Sequence, residues 1–273
     1  MNIKFNNIPI PINVNIPDII PIPITSIIAN IILNINVINI TNPFPLFPLL
    51  ATSDANHTIA YTCANNINNM NNNISISYHG TLGLNFIEKV NRLKMTSFDI
   101  LRDFLNLCDK TSAKWLTLHI GECGSGRTKM TDRIKLLIED FRKFYENNKF
   151  LTPIGIENLP YQKNGKLLLG DDFRDIKKIV DGVKDFKFLF DLGHYNVAYY
   201  NDNLNELYNY IIGVHIHDNG DIDSHKELGT GTVNYEFIIR NILKLNSEVP
   251  FVIEYRDFDI DKIRRTVKKL KEI

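Results

Sequence analysis

From residue 74 onward, short apolar runs alternate with segments in which apolar residues recur every three or four positions. The stripe formed by Ile134, Leu137, Ile138 and Phe141 is typical of one buried face of a helix. Strands are predicted at 74–77, 115–120, 154–157, 186–191, 211–217 and 251–255. Helices are predicted from Ser97, as its N-cap, from Thr131, and over 173–180, 204–210, 235–245 and 259–270. This alternation predicts a parallel sheet built from βαβ units.

The number of strands bears on whether the sheet closes. Six strands are predicted after residue 74, whereas a (β/α)8 TIM barrel needs eight. The other two fall in residues 1–73, where strand-like alternation occurs around Val14 and Val37. An open doubly wound sheet is the alternative, but no glycine-rich phosphate loop follows an early strand. The glycine-rich residues 121–126 (GECGSG) lack the Lys-Ser/Thr ending of a P-loop and are interpreted as a flexible loop. We expect an α/β TIM barrel whose first two βα units are atypical or missing.

Composition divides the chain at about the same place. Residues 1–87 contain only three charged side chains, Lys4, Asp18 and Asp54, and eight of the eleven prolines precede residue 49. Asparagine and isoleucine dominate this part, which is a low-complexity signature. We therefore expect an atypical Asn/Ile/Pro-rich segment over 1–73, holding degenerate first strands of the barrel, and the regular barrel domain over 74–273. Asparagines and prolines interrupt the apolar stretch 19–53, so no membrane partner or signal peptide is expected.

Overall charge and cysteine content exclude some function classes. The formal net charge is +0, so no basic excess marks a nucleic-acid-binding protein. Three scattered cysteines, Cys63, Cys108 and Cys123, do not make a disulfide framework, which favours a cytoplasmic location.

Six of the seven histidines fall at the ends of predicted strands or in the loops that follow, together with several carboxylates. In a parallel barrel all strand ends meet at one rim, where active sites lie. Imidazole and carboxylate groups that converge there are typical ligands of divalent metals such as Zn²⁺ or Mn²⁺. His217 faces the same side as His215, so it is either a ligand or a supporting residue. The candidate metal ligands are His79, His119, Glu157, Asp191, His194, His215, Asp223, His225 and Glu254.

The ordered motifs HIGE, IEN, DLGH, VHIHD, DSHKELGTG and IEY resemble the xylose-isomerase-like TIM-barrel superfamily over residues 74–273. That superfamily includes sugar phosphate isomerases and epimerases and the endonuclease IV type of abasic-site endonuclease (AP endonuclease family 2). The isomerase pattern implies one Mn²⁺, Mg²⁺ or Co²⁺ held by Glu157, Asp191, His215 and Glu254. It further implies that Glu157 and Glu254 exchange a proton beside a metal-bound carbonyl of a sugar or sugar phosphate, and that His194 contacts the substrate.

The endonuclease IV pattern is met at all nine ligand positions, and Asn85 also matches that family's first motif. The resemblance implies three zinc ions, with Glu157 bridging two of them, and DNA as the partner. The loop between His215 and Asp223 is shorter than in that family, and the lysine and arginine expected around Asp223 and His225 are absent. The epimerase pattern also lacks its arginine after the strand-end histidine. On sequence we rank the isomerase or epimerase first, the zinc phosphodiesterase second, and a catalytically inactive barrel relative third.

Overall fold

A computed structural model describes residues 50–53, 75–123, 130–160, 167–197, 204–257 and 259–273 of the chain. The strand-like alternation noted around Val14 and Val37 lies outside the described residues, as does His57. The division of the chain at residue 73 stays a prediction.

Seven parallel strands form the main sheet, in the order β1-β9-β8-β7-β5-β3-β2. Buried apolar side chains line both faces of the five strands between residues 116 and 255 that belong to this sheet, as is usual where helices cover a parallel sheet. A separate antiparallel pair joins β4 to β6. The strands are β1 (Leu50–Ser53), β2 (Tyr78–His79), β3 (Leu116–Leu118), β4 (Glu122–Cys123), β5 (Ile154–Glu157), β6 (Leu167–Leu168), β7 (Phe186–Asp191), β8 (Ile211–Ile216) and β9 (Phe251–Tyr255).

The strand β1 is a barrel element that the sequence pattern did not indicate. It pairs in parallel with β9, with Leu50 opposite Val252 and Ser53 opposite Tyr255. Residues 54–74, which connect β1 to β2, are outside the described part of the chain.

Two predicted boundaries at the start of the regular pattern were wrong. The strand predicted at 74–77 lies instead at Tyr78–His79, because Tyr78 pairs with Leu116 and its N–H donates to the Trp115 carbonyl. The first helix begins at Asn91, so Ser97 is a buried residue inside it and not its cap. The Ser97 hydroxyl accepts from the backbone N–H of Asn85, which ties the helix to the loop after β2.

The other predicted helices follow their apolar stripes closely, except that 204–210 forms two short 3-10 turns, Leu204–Glu206 and Tyr208–Tyr210. The short helix Leu192–Val197 was not predicted. Asp259 caps the last helix by accepting from the N–H groups of Asp261 and Lys262. No helix in the described ranges combines the length and apolar composition needed to cross a bilayer. The helices are α1 (Asn91–Lys110), α2 (Met130–Asn147), α3 (Phe173–Gly182), α4 (Leu192–Val197), α5 (Tyr235–Leu245) and α6 (Ile260–Lys271).

Aromatic packing fixes the helices against the strands. Phe141 of α2 is fully buried, and its ring centroid lies 5.0 Å from those of Phe86 and Phe98 and 4.7 Å from that of Phe186 in β7. Edge-to-face and tilted contacts at this spacing add to the apolar area removed from water. The strand ends that carry the polar residues are therefore held by a close-packed layer behind them.

Two residues of the predicted loop 121–126 belong to a strand. Glu122 and Cys123 form β4, which pairs with Leu167 and Leu168, while residues 124–129 are outside the description. Gly121 adopts a φ of 128°, and a side chain there would collide with Asn85. The prediction of a flexible loop was wrong at its first residues.

Candidate metal centre

The nine candidate ligands all lie at the carboxyl ends of the parallel strands or in the segments that follow them, and His194 lies in α4. Together with His217 they form three groups, and within each group the donor atoms lie within 4.8 Å of one another. Glu157 belongs to two groups, so these two are contiguous. The first cluster is His79, His119 and Glu157; the second is Glu157, Asp191, His215 and Glu254; the third is His194, His217, Asp223 and His225.

The first cluster opens toward solvent. His79 Nε2 lies 3.1 Å and His119 Nε2 lies 2.8 Å from the same oxygen, Oε2 of Glu157. The two histidine side chains are 21% and 24% exposed, whereas the Glu157 side chain is 1% exposed. This cluster therefore combines a buried carboxylate with two imidazoles that a molecule from solvent can reach.

The second cluster is buried around His215. The Nδ1 atom of His215 lies 2.9 Å from Oε1 of Glu157 and 3.0 Å from Oε2 of Glu254. Asp191, at the end of β7, brings Oδ2 to 3.8 Å from the same nitrogen. Three carboxylates thus converge on one buried imidazole, an arrangement that requires positive charge nearby.

The third cluster joins α4 to the loop after β8. Oδ2 of Asp223 lies 3.2 Å from Nε2 of His225 and 3.5 Å from Nε2 of His194. The ring of His217, whose role the sequence left open, stacks on that of His225 with 3.9 Å between centroids.

The buried charges shift the pKa values strongly. Burial alone would lower the pKa of His194, but the carboxylates of Asp191 and Asp223 raise it to about 10. The pKa of His225 is likewise raised to about 9 despite its burial, through Asp223 and Glu254. Burial would raise the pKa of Glu157, but His215, His119 and His79 hold it well below its usual range. Glu157 is therefore ionised, and protons on the histidines or metal ions balance its charge.

The orientation of the histidines fits metal ions. His79, His194 and His225 each place Nδ1 against a backbone carbonyl, those of Gly80, Asn158 and Glu254, at 2.7, 2.9 and 3.2 Å. An Nδ1–H that donates to a carbonyl fixes the tautomer and leaves Nε2 as a lone-pair donor facing the carboxylates. Mixed nitrogen and oxygen donor sets of this kind suit zinc and manganese.

The comparisons with known proteins agree with this geometry. A family model described as the xylose isomerase-like TIM barrel matches residues 64–273. The chain belongs to this family. The resemblance inferred from the strand-end motifs is thereby confirmed, and so is the barrel fold.

Relatives of this xylose isomerase-like barrel include proteins of different activities. An uncharacterized protein of Methanocaldococcus jannaschii, MJ1614, is 28% identical over 193 residues, which cover 70% of this chain and 73% of that protein. The structure of a D-tagatose 3-epimerase-like protein superposes with a TM-score of 0.63 at 22% identity, over 73% of this chain and 77% of the other. Endonuclease IV from Thermus thermophilus gives 0.56 at 18% identity, with the same coverage. At these identities the two solved structures establish the fold alone.

Two residues that sequence reasoning missed hold the loop of this barrel that carries Asp223 and His225. Both are fully buried at the end of β8. Asp218 accepts from the N–H groups of Gly229 and Val233. Asn219 Oδ1 accepts from the N–H groups of Ser224 and His225, and its Nδ2 donates to Asp223. His225 is held at a φ of 47°, a left-handed conformation that costs energy for a residue other than glycine.

Asn158 is a third missed residue, and it positions two candidate ligands. Its Oδ1 accepts from the N–H of Asp191 at 2.7 Å, and its Nδ2 donates to the Asp191 carbonyl at 2.9 Å. Its own carbonyl faces Nδ1 of His194. The motif that holds it, Glu157-Asn158, was interpreted only through its glutamate; an asparagine directly after a strand-end ligand was the signal available.

A cavity with basic residues adjoins the third cluster. It has a volume of about 250 Å³, and His225 forms part of its wall. Lys226 and Arg256 are exposed, and Lys262 is half-buried. Glu227 and Asp257 also line it, but Glu227 is engaged by Arg265 at 2.7 Å. The sequence did not indicate this basic surface, because Lys226, Arg256 and Lys262 come from different elements of the fold.

Proposed function

We propose that this protein is a multi-metal phosphoester hydrolase. The observation that carries the proposal is the sharing of Glu157 between two donor clusters, with a third cluster directly beside them. A one-metal isomerase needs only the second cluster, and of the six further histidines and carboxylates gathered around it only His194 has a role in the isomerase pattern. Phosphoester hydrolysis uses several ions to hold the attacking and leaving oxygens of one displacement.

The chain's own residues have distinct tasks in this proposal. His79 and His119 direct Nε2 at Glu157 from the partly exposed side of the site, where a substrate would arrive, and Glu157 holds the first and second clusters together. Bound divalent ions would supply Lewis acidity to the phosphoryl oxygens and would lower the pKa of an attacking water. Lys226 and Arg256 would bind the charged oxygens of the substrate, since both side chains line the cavity beside His225.

The test is strand cleavage by the zinc- or manganese-loaded full chain on a duplex with one abasic site, with intact duplex as the substrate control. Cleavage that is lost on chelation and in the Glu157→Gln variant is the expected result. Glu248→Gln, a charge change at an exposed position, is the matched control and is expected to keep full activity. If abasic DNA is not cut, bis(p-nitrophenyl) phosphate tests the same chemistry without DNA recognition; failure with both substrates refutes the proposal.

Arg256→Ala tests the assignment of the cavity. Losing a hydrogen bond to a charged group costs about 1.5–3 kcal/mol, so KM is expected to rise on the order of tenfold to a hundredfold. The turnover number should change little, because Arg256 is not a donor of any of the three clusters. An unchanged KM would remove the cavity from substrate binding.

A sugar isomerase or epimerase is the second candidate, and one contact favours it. Glu157 and Glu254 both approach Nδ1 of His215, so two carboxylates face one position, as a proton exchange from opposite faces requires. Incorporation of solvent deuterium into a ketose by the manganese-loaded protein would favour this candidate, whereas cleavage of a phosphodiester without exchange would exclude it.

A further inference from the structure

His217 occupies a position that is a metal ligand neither in the endonuclease IV pattern nor in the isomerase pattern. A nitrogen of its ring lies within 4.8 Å of donor atoms of His194, Asp223 and His225. The nine positions of the endonuclease IV pattern pass over this residue, and the isomerase pattern does not use it either. The third cluster of this chain therefore holds four potential donors, three imidazoles and one carboxylate.

The surroundings of His217 are unusual for a structural histidine. The side chain is fully buried, and Nε2 lies 2.9 Å from Oδ1 of Asp191. Its Nδ1 is also buried and has no hydrogen-bond partner in the described part of the chain. A buried polar atom without a partner costs about 1–3 kcal/mol, so the fold bears a penalty that binding to an ion or a water would remove.

The chain makes specific room for this ring. A side chain at Gly193 would overlap the imidazole of His217, so a glycine is the residue that lets the ring lie against the backbone of α4. Gly193 immediately precedes His194, a donor of the same cluster. The ring is thus held between α4 and His225, on which it stacks with planes 7° apart.

We propose that His217 is a metal ligand that closes the third cluster into a four-donor zinc site. Zinc sites with four protein ligands are structural, while catalytic sites keep a position open for water or substrate. By this inference the third ion fastens the loop after β8 to α4, and the first two clusters alone carry chemistry. For both rings to bind one ion, His217 and His225 must tilt out of their parallel stack so that their lone pairs converge. The inference rests on the metal binding of the proposed function.

Cobalt-substituted protein tests it without any activity assay. The full chain is loaded with Co²⁺, and its visible absorption is recorded for wild type, His217→Ala and His119→Ala. The position and intensity of the cobalt absorption depend on the donors of each ion, so wild type and His119→Ala should share the absorption of the third cluster, whereas in His217→Ala that absorption should shift or weaken because water would replace an imidazole. His119→Ala is the matched control, because it removes an imidazole from the first cluster only.

Zinc retention gives the second measurement. After dialysis against a competing chelator, the His217→Ala variant is expected to hold about one zinc ion fewer per chain than wild type, with its affinity at that site lowered at least tenfold to a hundredfold. His217→Cys keeps a zinc-binding side chain and should retain the ion, which separates loss of a ligand from loss of folding.

The outcomes separate the two proposals. Unchanged cobalt absorption and zinc content in His217→Ala would overturn the ligand role of His217 and leave it as a residue that positions Asp191. Equal loss of zinc in the alanine and cysteine variants would also count against direct binding. A wild-type chain that binds no metal would overturn the proposed function as well.

Discussion

Glu157→Gln is the change that most directly probes the site. The amide keeps the size of the side chain and removes its charge, and this carboxylate has nitrogen atoms of three histidines at 2.8, 2.9 and 3.1 Å. A hydrogen bond to a charged group contributes about 1.5–3 kcal/mol. Breaking a buried ion pair costs about 3–5 kcal/mol, because the charge of the remaining partner is left buried without compensation. We expect the metal-free protein to lose stability of that order.

The loss is measurable as a shift in thermal unfolding. For a chain of this size, 1 kcal/mol corresponds to roughly 2–4 °C in Tm, so the metal-free Glu157→Gln variant should unfold about 6–20 °C below wild type at pH 7. Because the pKa of Glu157 is lowered in the folded state, its contribution is present above its unfolded pKa and is lost as the pH falls from there through the lowered folded pKa. The difference in Tm should therefore shrink in acid.

The same variant should lose metal from two clusters at once, since Glu157 belongs to both. Elemental analysis after dialysis measures this, with Glu248→Gln as the exposed control. A Glu157→Gln variant with wild-type Tm and wild-type metal content would refute the placement of this carboxylate at the centre of the site.

Three further outcomes are expected. His79→Ala and His225→Ala should each reduce phosphodiester cleavage by orders of magnitude, and an assay that finds both mild would support a one-metal isomerase instead. Zinc affinity, measured by competition with a chelator, should rise with pH up to about 9–10, because protons on His194 and His225 compete with the ion. The affinity should rise about tenfold per pH unit for each proton released, and an affinity that does not change with pH would contradict this. Phe141→Ala should lower the free energy of unfolding by about 3–5 kcal/mol in urea titrations without changing metals bound per chain.

The polar residues at the strand ends could be predicted from the sequence, because the strands that carry them are recognised from the pattern of apolar residues alone. Once β5, β7 and β8 are recognised, the residues at their ends must meet at one rim, whatever the loops do. Glu157, Asp191 and His215 could therefore be brought together without coordinates. The strand β1 was missed because its sequence, LATS, is short and follows a proline-rich stretch with no amphipathic pattern.

Loop geometry was not readable in the same way. The position of this loop depends on hydrogen bonds that Asn219 accepts from the N–H of His225 and Asp218 accepts from the N–H of Val233, and such local bonds between side chain and backbone leave no periodic signal. The start of α1 was misplaced for a related reason. Ser97 has the composition of a cap, but its hydroxyl is used inside the helix to bond Asn85, and tertiary contacts overrode the local preference.

The loop after β8 is organised by its own side chains, and this has a consequence for ion selectivity. Ordering a residue costs about 1–2 kcal/mol of conformational entropy, and here the hydrogen bonds that Asp218 and Asn219 accept offset that cost without a metal ion. A preorganised site gains affinity, but it cannot expand to accommodate a larger ion. Ca²⁺ requires about six to eight oxygen ligands at roughly 2.3–2.6 Å in an adaptable shell, whereas zinc accepts four at shorter distances. Because this loop is rigid, the site should bind zinc and not calcium, even where calcium is far more abundant than zinc.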